Sequence, residues 1–564
     1  MDYPSKQSSG SRTSRNLLIL FALTLAVTAP IYLYGIPNGN DLPQHYQFAI
    51  AYRDGLSVGT PVLGWSTAVN QGFGDVGVRF YPPFSYWVLA VAHVVTGNWY
   101  DASVVTFALW FFISGVGVYF WAREWFSENA SLLGAGLYMF APYHVNQLYN
   151  AFTYAEFAAA AILPFCFLFA TRIVTKSRWS DCAGLAASYC CLLLVHIPMA
   201  VLGSLGLGIY IAVSLGKRWR GLPALQSAIA IAIGLAASSF YFLRVAIELP
   251  LVKHSSPEYS SGMYDFHVNF LASIFYLSAQ DYDTRSLWFA DTMLIVTVGV
   301  FLPGVAITFF SQARSSLSKL KAVACLGAFG LFISTPLSLP LWEHARFLQM
   351  IQFPWRALIL ISLCGAIFAA AGFEQTVRAL TSKARPAAMI AVGLILVFIA
   401  FSGAQIIRPA IFADRESFLA RVSALSTARS YECWWPVWAD KTAFEIPQMR
   451  SVPARTVITA TISESGTQSF HLDDGSESVV RMPLFYYPHW KAVVNKHEVS
   501  PSPDEDGAIL VSIPRGHAVL DLSFHEPYYV TAANVVSAFA WLLLILLGVF
   551  GDRIASRRRI FSYE

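Results

Sequence analysis

The segment L-L-I-L-F-A-L-T-L-A-V-T-A-P-I-Y-L-Y, residues 17–34, is an uninterrupted apolar run long enough to cross a bilayer as a helix. It follows Lys6, Arg12 and Arg15, a charge arrangement that secretory signals share. Its apolar core is longer than that of a typical signal, and no small-residue cleavage pattern follows it. We therefore interpret the segment as a retained membrane anchor with a cytoplasmic N-terminus.

The rest of the chain is equally apolar. Of its 564 residues, 56% are hydrophobic and only 13% are charged, whereas about 25% is usual for soluble proteins. The net charge is only +4, and outside the termini the longest basic cluster is the short run at 217–220, which argues against nucleic acid as a partner. The composition predicts a polytopic α-helical protein in contact with membrane lipids.

Further apolar runs of membrane-spanning length give about twelve predicted spans in all. After the first, they lie near 101–121, 131–147, 157–175, 180–197, 199–215, 223–243, 288–310, 322–341, 355–373, 387–407 and 531–550. Basic residues fall in alternate connections, as at 217–220, and in the tail at 557–559. By the positive-inside rule both termini are cytoplasmic, which is the arrangement expected in a bacterial inner membrane. This alternation requires residues 83–96, which are short for a span, to lie in the outer interface.

The outward-facing segments are then 35–100, the region around 143–156, 244–287, the region around 342–354, and 408–530. The last block alternates polar and apolar residues, and turn pairs separate its runs. The runs are 456–462, 508–513 and 518–524, and the turn pairs are 474–475, 506–507 and 515–516. We predict a membrane module at 1–407, an extracytoplasmic antiparallel β domain at 408–530, and a final helix with a basic tail at 531–564.

Ionisable residues are scarce within the predicted spans, and the polar residues concentrate in the outer segments. The first outer segment is the richest, with N-D-L-P-Q-H at 40–45, G-F-G-D at 72–75 and R-F-Y-P-P at 79–83. Asp41 precedes a helix predicted to begin near Pro43. It either caps that helix or, when partly desolvated, has the raised basicity that a general base needs.

Three stretches of this segment resemble the first outer loop of the GT-C superfamily, the integral-membrane glycosyltransferases that use polyprenyl-phosphate sugars. They are G-N-D-L-P-Q-H at 39–45, G-W-S-T-A-V-N-Q-G-F-G-D at 64–75 and F-Y-P-P-F-S-Y-W at 80–87. More narrowly, the chain resembles bacterial YfhO-like and 6-pyruvoyl-tetrahydropterin-synthase-related membrane proteins. Four later stretches extend the resemblance over about 36–540: A-P-Y-H-V-N-Q-L-Y-N-A-F-T-Y-A-E at 141–156, L-V-H-I-P at 194–198, Q-F-P-W-R at 352–356 and Y-Y-P-H-W-K-A-V-V-N at 486–495.

The resemblance implies transfer of a sugar from a polyprenyl-phosphate donor to a cell-surface glycan or lipid acceptor on the extracytoplasmic side. The family's loop carboxylate maps onto Asp41, which is then the general base. The resemblance also leads us to expect an arginine a few residues before Glu156. This chain has Thr153 and Tyr154 there, so the ionic partner of Glu156 stays open.

The leaving phosphate needs cations at the outer surface. Arg244 and Arg356 each join an apolar span to an outer segment, where they either bind a lipid phosphate or extend to ordinary lipid headgroups. The remaining predicted substrate-binding residues are His45, Asp75, Tyr81, Glu156, His196, His254 and Arg346. Carboxylates and histidines in the outer segments also leave open a divalent cation, Mg²⁺ or Mn²⁺, and no metal ligand is assigned.

Two other functions remain as alternatives. A transporter or flippase for a lipid-linked glycan is expected to carry polar groups or broken helices at the membrane midplane, and the sequence shows few such groups. A noncatalytic subunit of polysaccharide assembly would use the aromatic-rich outer block to recruit a polymer or an enzyme.

Overall fold

The computed structural model describes residues 6–271, 293–295, 297–299, 302, 304–306, 314–379, 385–454, 456–462 and 467–561. The predicted span at 288–310 lies mostly outside these residues. The first twelve helices are α1 (Lys6–Tyr34), α2 (Leu42–Ser57), α3 (Gly77–Phe80), α4 (Phe84–Thr96), α5 (Trp99–Ala122), α6 (Glu128–Met139), α7 (Pro142–Tyr149), α8 (Tyr154–Lys176), α9 (Trp179–Leu193), α10 (Ile197–Leu215), α11 (Leu222–Ala237) and α12 (Ser239–Glu248). They are followed by α13 (Arg314–Ser334), α14 (Leu339–His344), α15 (Arg346–Gln349), α16 (Leu358–Ala379), α17 (Arg385–Ile407), α18 (Arg415–Leu425) and α19 (Tyr528–Phe561).

Six helical segments in the described part of the chain are long and apolar enough to cross a membrane. They are Arg12–Tyr34, Trp99–Ala122, Tyr154–Lys176, Ile197–Arg218, Pro354–Ala379 and Tyr528–Arg553. Two more pairs of helices qualify only if each bent pair counts as one span. Leu222–Ala237 and Ser239–Leu251 meet at 67°, and Leu320–Ser334 and Pro336–His344 meet at 86°. The described residues therefore account for six to eight of the predicted spans.

The prediction of a single span at 131–147 is wrong, because the chain forms two short helices there. The helix α6 ends at Met139, and α7 begins at Pro142. A residue before proline is disfavoured in the α region, and Ala141 is extended, with φ −56° and ψ 134°. The break brings the buried side chains of α7 up against the start of α8.

The predicted antiparallel β region is confirmed over 450–524, whereas the start of the predicted block, 408–530, contains the helix α18. Its strands are β3 (Arg450–Val452), β4 (Val457–Ile462), β5 (Gln468–Leu472), β6 (Ser478–Phe485), β7 (Trp490–Val494), β8 (His497–Val499), β9 (Ser502–Pro503), β10 (Ala508–Ile513) and β11 (Ala518–Phe524). They form two antiparallel sheets, in the orders β3-β6-β10-β9 and β4-β5-β11-β7-β8. Gly507 and Gly516 have positive φ, as the turns before β10 and β11 require.

A buried ionic network joins this β region to the membrane helices. Arg79 of α3 lies 2.5 Å from Glu248 of α12 and 2.7 Å from Glu526, which follows β11. Tyr487 and Tyr529 each donate a hydrogen bond of 2.7 Å to Glu248. Two further short strands pair nearby, β1 (Ile36–Pro37) with β2 (Phe412–Ala413). The segment between α1 and α4 is therefore held at several points, and this fixes the start of α2.

Candidate functional site

Asp41 stands at the N-cap position of α2, but its side chain makes no capping hydrogen bond. Within the described part of the chain, its carboxylate accepts no hydrogen bond and forms no ion pair. The capping interpretation is therefore wrong. Burial raises the pKa of Asp41 to about 6, while nearby Arg356 lowers it and nearby Glu156 raises it. The carboxyl group is half-buried and free to meet a ligand.

Asp41 is placed by a close approach of two backbone segments. Its amide donates to the carbonyl of Ala151, at 3.4 Å. A Cβ on Gly39 would lie only 2.4 Å from the Asn150 carbonyl oxygen and 2.7 Å from Cβ of Phe152. Glycine is therefore required at position 39 for the first and second outer segments to meet beside Asp41.

Gly39→Ala should consequently lower the free energy of unfolding by about 1 to 3 kcal/mol, the usual range for overpacking a tight contact. Thermal unfolding of the purified protein in detergent measures this effect. Gly208→Ala is the matched control, since a Cβ there meets no atom within 4 Å. Equal melting temperatures for the two variants would contradict this account of Gly39.

Glu156 and Arg356 form a buried ion pair next to Asp41. Nε of Arg356 lies 3.0 Å from Oε2 of Glu156, and both side chains are less than 10% exposed. Oε1 of Glu156 accepts hydrogen bonds from Gln147, at 2.7 Å, and from Tyr143. The ionic partner of Glu156 is thus Arg356, which lies 200 positions away in sequence.

The guanidinium of Arg356 is oriented by three further contacts. Nη1 donates to the carbonyl of Ile351, at 2.6 Å, and the group lies over the rings of Phe353 and Trp355. Gln352 holds the turn before it in a left-handed conformation, with φ +66°. Nη2 makes no hydrogen bond to any other described residue, so one donor of this cation is available for a ligand.

His45 is a structural residue here and not a phosphate-binding cation. Its Nε2 accepts from the backbone amide of Tyr154, at 3.1 Å, so Nδ1 carries the proton and donates to the hydroxyl of Tyr86, at 2.6 Å. Burial lowers the pKa of His45 to about 3, which keeps the ring neutral. The ring links α2 to α4 and α8.

Tyr81 and His196 lie at the same site. Tyr81 interacts electrostatically with Asp41, Arg356 and Glu156, and its ring centroid is 6.5 Å from that of His196. His196 is only 5% exposed, and its Nδ1 is buried without a hydrogen-bond partner in the part of the chain that the structure describes. His196 therefore offers an unengaged ring nitrogen to a ligand.

The structure also brings two tyrosines to Asp41 that the sequence did not indicate. Tyr264 and Tyr431 both interact electrostatically with Asp41, and the hydroxyl of Tyr431 donates to the carbonyl of Asn40, at 3.1 Å. Each lies in a long outer segment where no motif marks it. Both side chains are more than 40% exposed, so they form the outer rim of the site.

Arg244, a leading phosphate candidate, belongs instead to the network around Arg79. Its Nη2 lies 3.4 Å from Glu526, and its Nη1 donates to the carbonyl of Leu63, at 2.9 Å. The carboxylate of Glu526 therefore holds Arg244 where α12 meets the β region. Among the described residues, none of the contacts of Arg244 reaches Asp41.

The other predicted substrate-binding residues make no direct contact with Asp41 in the described part of the chain. Asp75 is buried and accepts from the amide of Gly77, at 3.0 Å, within the first outer segment. His254 stacks on Trp434 with a centroid distance of 4.7 Å, and Trp434 in turn contacts Tyr81. Arg346 is exposed at the start of α15. Of these, only His254 is connected to the site, and only through an intervening ring.

Among the described residues, no three His, Cys, Asp or Glu side chains are arranged to bind a metal ion. Both oxygens of Glu156 are already engaged by Tyr143, Gln147 and Arg356. Of the two carboxylates described at this site, only that of Asp41 has oxygens without a partner among the described residues.

Several solved structures are similar to the chain, each at low identity. The arabinofuranosyltransferase AftD from Mycobacteria is 12% identical with a TM-score of 0.44, over 75% of this chain and 27% of that one. The Archaeoglobus fulgidus oligosaccharyltransferase is 10% identical with a TM-score of 0.35, over 76% and 57%. ArnT from Cupriavidus metallidurans, bound to undecaprenyl phosphate, is 14% identical with a TM-score of 0.30, over 78% and 96%. The chain thus matches little more than a quarter of AftD and somewhat over half of the oligosaccharyltransferase.

Comparison with curated protein sequences returns no match. A family model does match, over residues 78–406, which is more than half of the chain. Its description is a 6-pyruvoyl-tetrahydropterin synthase related domain of a membrane protein, the narrower family that the outer-segment motifs resemble. The matched region contains Glu156 and Arg356, and it begins just before Arg79. The chain belongs to the 6-pyruvoyl-tetrahydropterin synthase related family of membrane proteins.

Proposed function

We propose that the chain is a membrane glycosyltransferase that moves a sugar from a polyprenyl-phosphate donor to a glycan or lipid acceptor. The observation that carries the proposal is the unpaired carboxylate of Asp41 beside the buried Arg356–Glu156 pair. A base of raised pKa and a cation with a free donor are the two groups that such a transfer requires. The outer-segment motifs that resemble GT-C glycosyltransferases support the same assignment.

In the proposed reaction, the acceptor hydroxyl attacks the anomeric carbon of the sugar. Asp41 takes the hydroxyl proton as the new C–O bond forms. The bond from the anomeric carbon to the phosphate oxygen breaks, and its electron pair stays on the phosphate. Nη2 of Arg356 donates a hydrogen bond to that oxygen as its negative charge develops.

Glu156 acts in this scheme as a positioning residue. It holds Nε of Arg356 while Ile351 holds Nη1, so the guanidinium plane is fixed before substrate arrives. Preorganised donors of this kind lose little free energy to reorientation during the reaction. The isoprenoid chain of the donor would lie along the apolar helices, with the β region outside a bacterial inner membrane and both termini in the cytoplasm.

A donor panel tests the proposal. Purified protein in lipid nanodiscs is given undecaprenyl phosphate carrying glucose, mannose or ribose, with a crude glycolipid acceptor fraction, in the presence and absence of EDTA. We expect transfer from one donor, and loss of that transfer in EDTA would show that a divalent cation takes part. Translocation of a glycolipid in liposomes without any transfer would indicate a flippase. Full cellular function with Asp41, Glu156 and Arg356 all replaced would indicate a noncatalytic subunit.

The rate should depend on pH through Asp41. Only the carboxylate form accepts a proton, and the pKa of Asp41 is about 6. We therefore expect kcat/KM to be constant above about pH 7 and to fall roughly tenfold per pH unit below pH 6. Initial rates between pH 4.5 and pH 8 measure this profile. A rate that rises on acidification would contradict Asp41 as the base.

A further inference from the structure

Gln44 is a buried amide that no protein group satisfies. Its side chain is only 5% exposed, and neither Nε2 nor Oε1 has a hydrogen-bond partner among the described residues. Leaving both ends of a buried carboxamide unpaired costs the fold free energy. A site that keeps such a group is expected to pair it with a ligand.

Gln44 is close in sequence to the proposed base. It lies three residues after Asp41, the N-cap residue of α2, so helical spacing places the two residues on the same side of the first turn. Gln47 and Phe48 lie one helical turn further along α2 and are its neighbours on the helix surface. Phe48 packs on Tyr81, with centroids 4.9 Å apart, and Gln47 donates to backbone carbonyls at 425, 428 and 429. Phe48 thus contacts Tyr81, and Gln47 contacts the chain just before Tyr431; both tyrosines lie near Asp41.

The chemistry of a carboxamide selects the kind of group it binds. It offers a donor and an acceptor side by side, and a sugar hydroxyl both donates and accepts. A phosphate only accepts, and would leave Oε1 unpaired. The unpaired amide therefore fits hydroxyl groups better than it fits the carrier phosphate.

The donor sugar and the acceptor both carry hydroxyl groups, and the burial of Gln44 indicates which of the two it binds. On one side of Asp41, Asn40 and Tyr431 are exposed, which suits the approach of a large glycan or lipid acceptor. Gln44, in the first turn of α2, is buried instead. The enclosed side suits the single sugar that must lie between Asp41 and Arg356.

We infer that the Gln44 carboxamide hydrogen-bonds hydroxyl groups of the donor sugar and so determines which sugar the site accepts. This inference rests on the proposed function. His196 supplies a second buried atom, Nδ1, that has no hydrogen-bond partner among the described residues. Gln44 takes no part in proton transfer, because Asp41 holds that role.

Gln44→Met and Gln47→Met form a matched pair of variants. The two glutamines are both buried on α2, but only Gln47 has its amide bonded to backbone carbonyls. Gln44→Met should leave the melting temperature unchanged or raise it, because it removes an unpaired amide. Gln47→Met should lower the melting temperature, because it strips those carbonyls of a partner.

The test measures binding of bare undecaprenyl phosphate and of its glucosyl, mannosyl and ribosyl forms to each protein in nanodiscs. We expect the wild type to bind one sugar-carrying form more tightly than the bare carrier. In Gln44→Met the ratio of these two affinities should fall about tenfold, as expected for the loss of one or two hydrogen bonds. Its affinity for bare carrier should stay within twofold. Gln47→Met should keep the preference.

Three outcomes would overturn the inference. If Gln44→Met keeps the wild-type preference, or if its melting temperature falls as that of Gln47→Met does, Gln44 is structural, and the proposed function stands. If the wild type binds neither the bare carrier nor any sugar-carrying form, the proposed function and this inference fail together.

Discussion

Asp41→Asn is expected to reduce sugar transfer by about 10²- to 10⁴-fold, the range that a positioned general base contributes. The amide keeps the size and polarity of the carboxyl group but cannot take a proton. Because no described residue bonds to the Asp41 side chain, the substitution breaks no contact within the protein. The measurement is single-turnover transfer by the purified variant, with the donor that the panel identifies.

The stability of the same variant gives an independent check. Asp41 has a higher pKa in the folded chain than in the unfolded one, so the folded state disfavours its charged form. Its contribution to stability is therefore greatest below about pH 4 and is lost as pH rises toward 6. Removing the charge should leave the melting temperature at pH 7 unchanged or higher, and flatten its dependence between pH 4 and pH 6. An inactive variant with a clearly lower melting temperature would indicate a structural role for Asp41.

The parts of the fold that follow from local periodicity were predictable from the sequence. The runs 508–513 and 518–524 match β10 and β11 residue for residue, because alternating apolar side chains fill the core and turn glycines bound the strands. The long apolar spans at 101–121 and 157–175 match α5 and α8 to within a few residues. Where hydropathy was uniform but proline intervened, as at Pro142, the pattern concealed a break in the helix.

The candidate site was predictable only in its separate parts. Asp41, Glu156 and Arg356 each stood out as charges beside apolar runs. That Glu156 pairs with Arg356 depends on how α8 and the turn before α16 pack, which periodicity does not encode. Tyr431 reaches the site only through the folding of the chain between α18 and β3. Long-range pairings of this kind require the tertiary structure.

The strongest stability effect is expected from Arg356→Met, because it leaves Glu156 buried without its ionic partner. Removing one member of a buried ion pair typically costs about 3 to 5 kcal/mol. Glu156 keeps its hydrogen bonds from Gln147 and Tyr143, but these are neutral donors and cannot balance its charge. Chemical denaturation in detergent measures the loss, and transfer activity should also be abolished.

The double variant Arg356→Met, Glu156→Gln separates the structural role of the pair from its catalytic one. Replacing both charges removes the unpaired carboxylate, and neutral replacements of a buried ion pair are often close to wild type in stability. We therefore expect most of the lost stability to return. Transfer should not return, because Nη2 of Arg356 would donate to the leaving phosphate and methionine has no donor. If the double variant recovered both stability and transfer, Arg356 would serve only to neutralise Glu156, and the phosphate would need another cation. Restored folding without restored transfer, by contrast, would leave Arg356 as the group that stabilises the charge developing on the phosphate.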